Sequence, residues 1–454
     1  MPSFFRTRRL VLIECEGKKQ GRGEACFKKN FPKFSQNLFL EPAMALNWIW
    51  FLFFGVAFVV ACIQFIFFGN ADIFKILVDG MFDSAEMAVM KIALPLAGVM
   101  TFFMGILQIG EKAGAIHFLA RRIRPFFTRL FPEIPQDHPV HGQMIMNFSA
   151  NLLGLDNAAT PFGLKAMQGL QELNPSKDTA SNAQIMFLVL HSAGPVLIPL
   201  SIMAQRAIYG AQDASDVFIP CLMATYATTM TGLIWVSIKQ KIRLFEPVLF
   251  AWISGLTLLL GGILWYFSSL PKEQIELQSK VLSNGLLFTL ILSFIVAAFW
   301  KKIDIFSTFV EGAKGGFETS VKIIPYLVGM LVAISCLRNS GVLGFIVDGM
   351  KYVVDLAGID NRFTDAMPTA LLHPISGSGS RAMMIDTMKT HGPDSFVGRL
   401  ACVFQGSAET ILYVVALYFG SVQIKNIRYT LWAGLFADAV GIITAIGVSY
   451  LFFG

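Results

Sequence analysis

Nine apolar runs dominate this chain, at about 46–68, 92–109, 184–204, 216–238, 247–268, 283–300, 323–338, 397–420 and 428–451. Each approaches the ~20 residues a helix needs to cross a bilayer, with 323–338 the shortest. Few folds remain open to such a chain, because in hydrocarbon every backbone N–H and C=O must find a partner within the protein. The expectation is an all-α, polytopic membrane protein of about nine transmembrane helices. Composition agrees: of 454 residues, 55% are hydrophobic and 15% charged, far from the balance of a soluble domain.

Residues 1–43 differ from the rest. They carry nine Lys or Arg against four Glu and show little periodicity. A secretory signal would place its apolar core nearer the start. Met44 opens the segment MALNWIWFLFFG, typical of a membrane-protein N-terminus. The leader is therefore expected to be disordered or to reflect an upstream start codon. Three amphipathic segments, 72–90, 115–131 and 304–322, carry charge on one face and Phe, Leu and Ile on the other, and are expected in the interface or on the bundle flank.

The chain repeats itself. Asp72-Ile-Phe followed by Val78-Asp79-Gly80 recurs as Asp304-Ile-Phe followed by Val310-Glu311-Gly312, at an offset of 232. With a drifting offset, Pro95-Leu-Ala-Gly98 matches Pro325-Tyr-Leu-Val-Gly329, Ala113-Gly114 matches Ser340-Gly341, and Ser192-Ala193 matches Ser407-Ala408. The division is a leader at 1–43, a first repeat at 44–240, a linker with one span at 241–282 and a second repeat at 283–454. Each repeat contributes an even number of spans, so the extra span 247–268 turns the second upside down. With a cytoplasmic N-terminus, cytoplasmic segments hold 25 Lys and Arg against 10 opposite, or 16 against 10 without the leader. That bias is the positive-inside pattern. Two inverted repeats with broken or re-entrant helices are expected, an architecture of secondary transporters.

Two polar, glycine-broken segments sit where the repeats would meet. NLLGLDNAATP, at 151–161, offers Asn151, Asp156, Asn157 and Thr160 beside the breakers Gly154 and Pro161. HPISGSGSR, at 373–381, offers His373, Ser376, Ser378 and Arg381 beside Pro374, Gly377 and Gly379. Non-helical backbone at membrane depth persists only in protein or along a wet cavity, so these segments are expected to line a binding site; the plainer alternative is a pair of polar interhelical loops outside the bilayer. The helices that follow would aim free N–H groups at a polar or anionic ligand. Inside the apolar runs, His191 and Ser192 fall in 184–204 and Glu409 in 397–420. An intramembrane carboxylate is costly and points to an ion or substrate path, so Glu409, with Asp156, is the candidate for coupling to H⁺ or Na⁺. Against this stands a plainer reading, in which Glu409 is a packing carboxylate paired to Arg381 or His373. Asp438, in the last run, points to neither role.

Other chemistry finds no support. The cysteines at 15, 26, 62, 221, 336 and 402 form no CxxC, and Asp156, His191, His373 and Glu409 have no local ligand spacing, so no metal or other cofactor is indicated. HPISGSGSR lacks the phosphate-loop spacing, no HExxH or GxSxG occurs, and no enzyme is expected. Arg121-Arg122-Ile-Arg124 lies next to a span and suits an anionic leaflet better than nucleic acid.

The segment HPVHGQMIMNFSANLLGLDNAATPFGLKAM with LIPLSIMAQR closely resembles the spore maturation protein A family. SFIVAAFWKKIDIFSTFVEGAKGGFETSVKIIPYLVGMLVAIS, HPISGSGSRAM, THGPDSFVGRLACVFQGSAETILYVVALYFG and GLFADAVG closely resemble the spore maturation protein B family. The likeness runs from about Met44 to Gly454 and looks like the two fused in one chain, A-like at 44–240 and B-like at 283–454. It implies the gate, or nucleoside-recognition, superfamily, an inner-membrane role and, in spore formers, dehydration of the spore core. The residues themselves add no base-stacking signature, since only Phe148 and Phe162 flank the breaks. The expected protein moves a small polar or ionic solute, of which a nucleoside is the implied example, by alternating access in the inner membrane. Its partners would be the bilayer, the solute and a coupling ion, with a homo-oligomer compatible. The alternative is a non-transporting scaffold that uses the gate fold to bind a partner.

Overall fold

A computed structural model describes residues 42–153, 156–194, 196, 197 and 199–454, without the side chains of 42–49, 156–158, 161, 272, 273, 276, 280, 319, 322 and 323. All but the last two residues of the expected leader lie outside this range. The described residues form eighteen α-helices and no strand; one isolated bridge pairs Thr179 with Asn426. The first repeat holds α1 (Pro42–Phe68), α2 (Ile73–Glu86), a π-helical stretch (Met87–Ala93), α3 (Leu94–Lys112), α4 (Ala115–Leu130), α5 (Val140–Leu152), α6 (Asp156–Leu173), α7 (Asn182–Ser192), α8 (Leu200–Ile208) and α9 (Phe218–Gln240). α10 (Pro247–Ser268) follows in the linker, and α11 (Lys272–Trp300) leads from the linker into the second repeat as its first span. The second repeat also holds α12 (Ile305–Asn339), α13 (Val342–Leu356), a 3-10 turn (Arg362–Ala366), α14 (Met367–Leu372), α15 (Gly377–His391), α16 (Phe396–Gln405), α17 (Ile411–Ser421) and α18 (Thr430–Phe453).

Among the described residues, six helices are long and apolar enough to cross a membrane, and seven if the pair Ile324–Asn339 and Val342–Leu356, bent by 69°, is one span. The nine apolar runs account for these and for two more. Runs 184–204 and 397–420 are each split, into α7 with α8 and into α16 with α17. Their halves are too short to span alone, so these two runs are broken helices. The amphipathic segments 72–90 and 304–322 are the first parts of long helices: Ile73–Lys112 is continuous over 40 residues and α12 over 35. Their charged residues, among them Asp79, Asp83, Glu311 and Lys314, are exposed. The first packs against α12, where the Ser335 hydroxyl donates to the Gly80 carbonyl at 3.1 Å. α4 keeps the amphipathic character expected of it.

The symmetry is visible in how equivalent helices pack. On α3 and α12, Gly316 lies against the Met100 carbonyl, Gly312 against Met104 and Gln108, and Gly105 against Phe309. One number falls as the other rises, so the helices are antiparallel. On α9 and α18, Gly441 meets Thr228, Gly232 meets Ala437, and the Gln240 amide donates to the Tyr429 hydroxyl at 3.1 Å, again antiparallel. In the sequence repeat α3 corresponds to α12 and α9 to α18. Equivalent helices meeting antiparallel is what a two-fold axis in the membrane plane produces, which is the geometry of inverted repeats.

Gly312 and Gly316, four residues apart, let the two backbones approach, as small residues do between membrane helices. A Cβ at Gly316 would stand 2.5 Å from the Met100 carbonyl oxygen and 2.8 Å from the Thr101 Cα, atoms that cannot rotate away. Gly316→Ala should therefore destabilise the protein by about 1–3 kcal/mol, the usual cost of overpacking. Its thermal midpoint in detergent, compared with that of Gly315→Ala, whose Cβ meets nothing, measures the effect.

The repeats interlock. Tyr418 of α17 lies against Gly163 of α6, and Ile202 and Cys221 of the first repeat lie against Gly406 of the second. One buried cluster joins Met186–Leu190 with Val414–Phe419, and another joins Ile202 and Cys221 with Ala382–Ile385 and Leu400–Phe404.

Two clasps tie the broken helices together. After α8, the buried Arg206 reaches Asp216 at 2.8 Å and Asp394 at 3.1 Å, and Arg399 reaches Asp216 at 2.7 Å. Burial pushes the Asp216 carboxyl above its usual range, and the two guanidiniums oppose that push. After α17, Lys425 and Asn426 donate their backbone N–H groups to the Asp178 carbonyl at 2.9 Å, and Ala180 donates to Asn426 at 2.9 Å. Each clasp joins the loop after one broken helix to the start of the other. α9 runs from one to the other over 23 residues, about 34 Å at 1.5 Å per residue and so close to the thickness of a bilayer.

Candidate functional site

Each repeat supplies one helical hairpin and one broken helix, and the two tips meet their own breaks by the same bond. Leu197 N–H donates to the Leu152 carbonyl at 2.8 Å in the first repeat, and Leu412 N–H donates to the Pro374 carbonyl at 3.3 Å in the second. The breaks also meet each other. Glu409 N–H donates to the Ser192 carbonyl at 2.7 Å, pairing one of the last carbonyls of α7, which have no partner within their own helix. The sequence explains the first break through Gly194, Pro195 and Pro199. The second has no proline; its break begins at Gly406, and the Ser407 hydroxyl donates back to the Phe404 carbonyl at 2.8 Å.

The first half-site is built on α5 and α7. His191 Nδ1 lies 2.7 Å from Asn151 Nδ2 and 3.0 Å from Asn147 Oδ1, and Asn147 Nδ2 donates to the Ala159 carbonyl at 2.7 Å. Asn147 and Asn151, four apart, share one helix face. A protonated Nδ1 would donate to Asn147, and an unprotonated one would accept from Asn151, so the tautomer selects the partner. Tyr418 comes from the other repeat, with its ring 4.8 Å from that of His191, edge on. Its hydroxyl is buried, close to Asn147 and Thr160, yet makes no hydrogen bond of standard geometry. A buried polar group left so is a feature that a ligand or water would satisfy. Thr160 is half-buried. The side chains of Asp156 and Asn157 lie outside the described residues. The Ser192 hydroxyl donates to the Val189 carbonyl at 3.1 Å, so its part in the site is its backbone carbonyl.

The second half-site centres on His373, at the tip between α14 and α15. Its Nδ1 lies 3.1 Å from Asp438 Oδ1, with both side chains buried at 1% and 5% exposure. The ring also has the Ala408 backbone and the Glu409 carboxylate nearby. Ser376 caps α15, its hydroxyl accepting from Gly379 N–H at 3.0 Å and lying 3.3 Å from Ser378 Oγ. Gly377, Ser378 and Arg381 form the half-buried side of an otherwise buried helix start, and Gly377 faces Thr410 at the second break. Arg381 has no hydrogen-bond or ion-pair partner among the described residues. Glu409 is exposed within the break rather than embedded in a continuous span. It thus sits between His373 of its own repeat and Ser192 of the other.

Asn147 and Tyr418 join the candidate site beyond the residues singled out in the sequence, and Asp438, left without a role there, pairs with His373. The spacing of Asn147 and Asn151 was the available signal for the first. Nothing in the apolar run marks Tyr418. No group of three or more His, Cys, Asp or Glu that could hold a metal occurs among the described residues.

The family model described as Gate, nucleoside recognition, matches residues 93–209 and 320–425, which run from α3 through α8 and from α12 into the loop after α17. Spore maturation protein B of Bacillus subtilis (strain 168) is 47% identical over 154 residues, 34% of this chain and 85% of that protein. Spore maturation protein A of the same organism is 36% identical over 156 residues, 34% of this chain and 79% of that protein. No solved structure matches the chain.

Proposed function

Because this chain belongs to the family of spore maturation proteins A and B, multi-pass membrane proteins with the gate fold, we propose that it moves a small polar or ionic solute by alternating access. The reading rests on one observation: the two broken helices cross through the Glu409–Ser192 bond, with a polar half-site on either side. Asn147, Asn151, Thr160, His191 and Tyr418 would offer neutral donors and acceptors from one side. From the other, Ser378 would offer a hydroxyl and Arg381 and Glu409 would offer charge, backed by the His373–Asp438 pair. Glu409, and Asp156 from the first hairpin, would carry the coupling H⁺ or Na⁺. The name of the Gate model makes a nucleoside the first solute to try. The inner membrane, with a cytoplasmic N-terminus, is the setting that the bias of 25 Lys and Arg against 10 supports. In a spore-forming host, the maturation role of the relatives would fall to this chain too.

Thermal stabilisation of the purified protein across nucleosides, nucleobases, amino acids, organic acids and metal ions tests this, with and without Na⁺ and at two pH values. A ligand that binds the native state at a hundredfold excess over its Kd raises stability by ~2.7 kcal/mol. Glu409→Gln is expected to fold and to lose the Na⁺ or pH dependence of any such response. A response that keeps its ion dependence in that variant would remove Glu409 from the coupling. Silence across the panel from a folded protein would instead favour a scaffold that binds a protein partner through the same fold.

A further inference from the structure

Away from the crossing, a cavity of about 330 Å³ opens between α4, α5, α7, α9 and α10. That volume falls within the ~300–1,000 Å³ of ligand sites. Its walls include Ile123, Phe126, Leu152, Leu190, Trp252 and Leu256, and they are almost wholly apolar. The polar groups along it are already used: Thr229 donates to the Ala193 and Thr225 carbonyls, and Tyr226 bonds Thr257. A polar solute would find nothing to hold it. One cation also lines the cavity, Arg122 of α4, exposed and stacked 5.4 Å over the Phe118 ring, with no carboxylate partner among the described residues. Arg121 and Arg124 are beside it on the same short helix, which has no acidic residue, and Arg129 further along pairs with Glu246 at 3.3 Å.

We infer that this cavity holds an acyl chain of an anionic phospholipid whose headgroup phosphate sits on Arg122. An apolar slot lined at one point by the exposed cation Arg122, and walled on one side by the largely exposed, apolar α10, complements that molecule better than a soluble anion or a neutral lipid. Through Leu152, Leu190 and Leu197, the chain would also buttress the tip of the first hairpin.

The test uses the whole purified protein in detergent and follows its thermal midpoint as dioleoyl phosphatidylglycerol, dioleoyl phosphatidylcholine or glycerol 3-phosphate is added. Phosphatidylglycerol should stabilise more than phosphatidylcholine, and glycerol 3-phosphate should do nothing. Arg122→Gln should weaken the phosphatidylglycerol response about fivefold, the factor matching ~1 kcal/mol per basic residue at an anionic surface, and leave the phosphatidylcholine response alone. Leu256→Trp, which narrows the cavity, should weaken both responses. Leu259→Trp serves if that variant does not fold, since Leu259 is 60% exposed and lines the same cavity. Equal responses to the two lipids, an unchanged response in Arg122→Gln, or a full response in the narrowed variant would overturn the inference. Stabilisation by glycerol 3-phosphate as strong as by the lipid would show a headgroup site alone and refute the chain in the cavity.

Discussion

Arg206→Met should cost about 3–5 kcal/mol of stability, the penalty for removing one partner of a buried ion pair. Arg206 is fully buried and touches Asp216 and Asp394, and its removal leaves Arg399 as the only nearby cation for both among the described residues. The push that burial exerts on the Asp216 carboxyl is then opposed by Arg399 without Arg206, and the group must protonate or draw in water. The variant should unfold at a markedly lower temperature, and raising the pH should lower that temperature further by ionising the stranded carboxyl. Adding Asp216→Asn should restore much of the loss, because the charge that needed Arg206 is gone. A single variant as stable as the parent at neutral pH would mean that water reaches this clasp freely.

The second large effect is expected at the other buried pair. His373→Ala strands Asp438, 4% exposed, in the middle of α18, at a cost again of about 3–5 kcal/mol. It also removes the group beside Glu409, so a ligand response found with the parent protein should disappear. Asp438→Asn separates the two consequences. An amide can still meet His373 Nδ1, so the fold should survive with little loss, while the negative charge behind the second half-site is gone. A folded Asp438→Asn protein with undiminished, ion-dependent ligand binding would limit the pair to packing.

Much of this architecture was legible because membrane burial writes strongly in sequence. The apolar runs, the duplicated Asp-Ile-Phe segments and the odd linking span together imply inverted repeats, and α3 against α12 and α9 against α18 pack accordingly. The hairpin tips were legible for the same reason, since Gly154 and the Gly377–Gly379 pair have no business in a continuous span. The second break was not. FQGSAETILYVV has no proline and stays apolar enough to read as one helix, so Glu409 reads as an embedded carboxylate when it lies in an exposed gap. The continuity of segments 72–90 and 304–322 with the apolar runs after them was not legible either, because amphipathicity alone does not show where a helix continues. Neither the Arg206 clasp nor the partnership of His373 with Asp438, 65 residues apart, has any local signature. The first arises only when the repeats interlock, and the second only when α18 packs against the tip before α15 within one repeat.

The two clasps close opposite ends of α9, and they are made of different materials. One is a knot of four charges, two of them almost fully buried; the other is a patch of peptide hydrogen bonds and one strand-like bridge. Duplication made the ends alike in layout, and divergence has made them unlike in what loosens them. Protons and dissolved ions act on the first, whereas the second yields to whatever competes for backbone amides. In the alternating-access cycle proposed above, the chemistry of the compartment at each side would set how firmly that side is held shut.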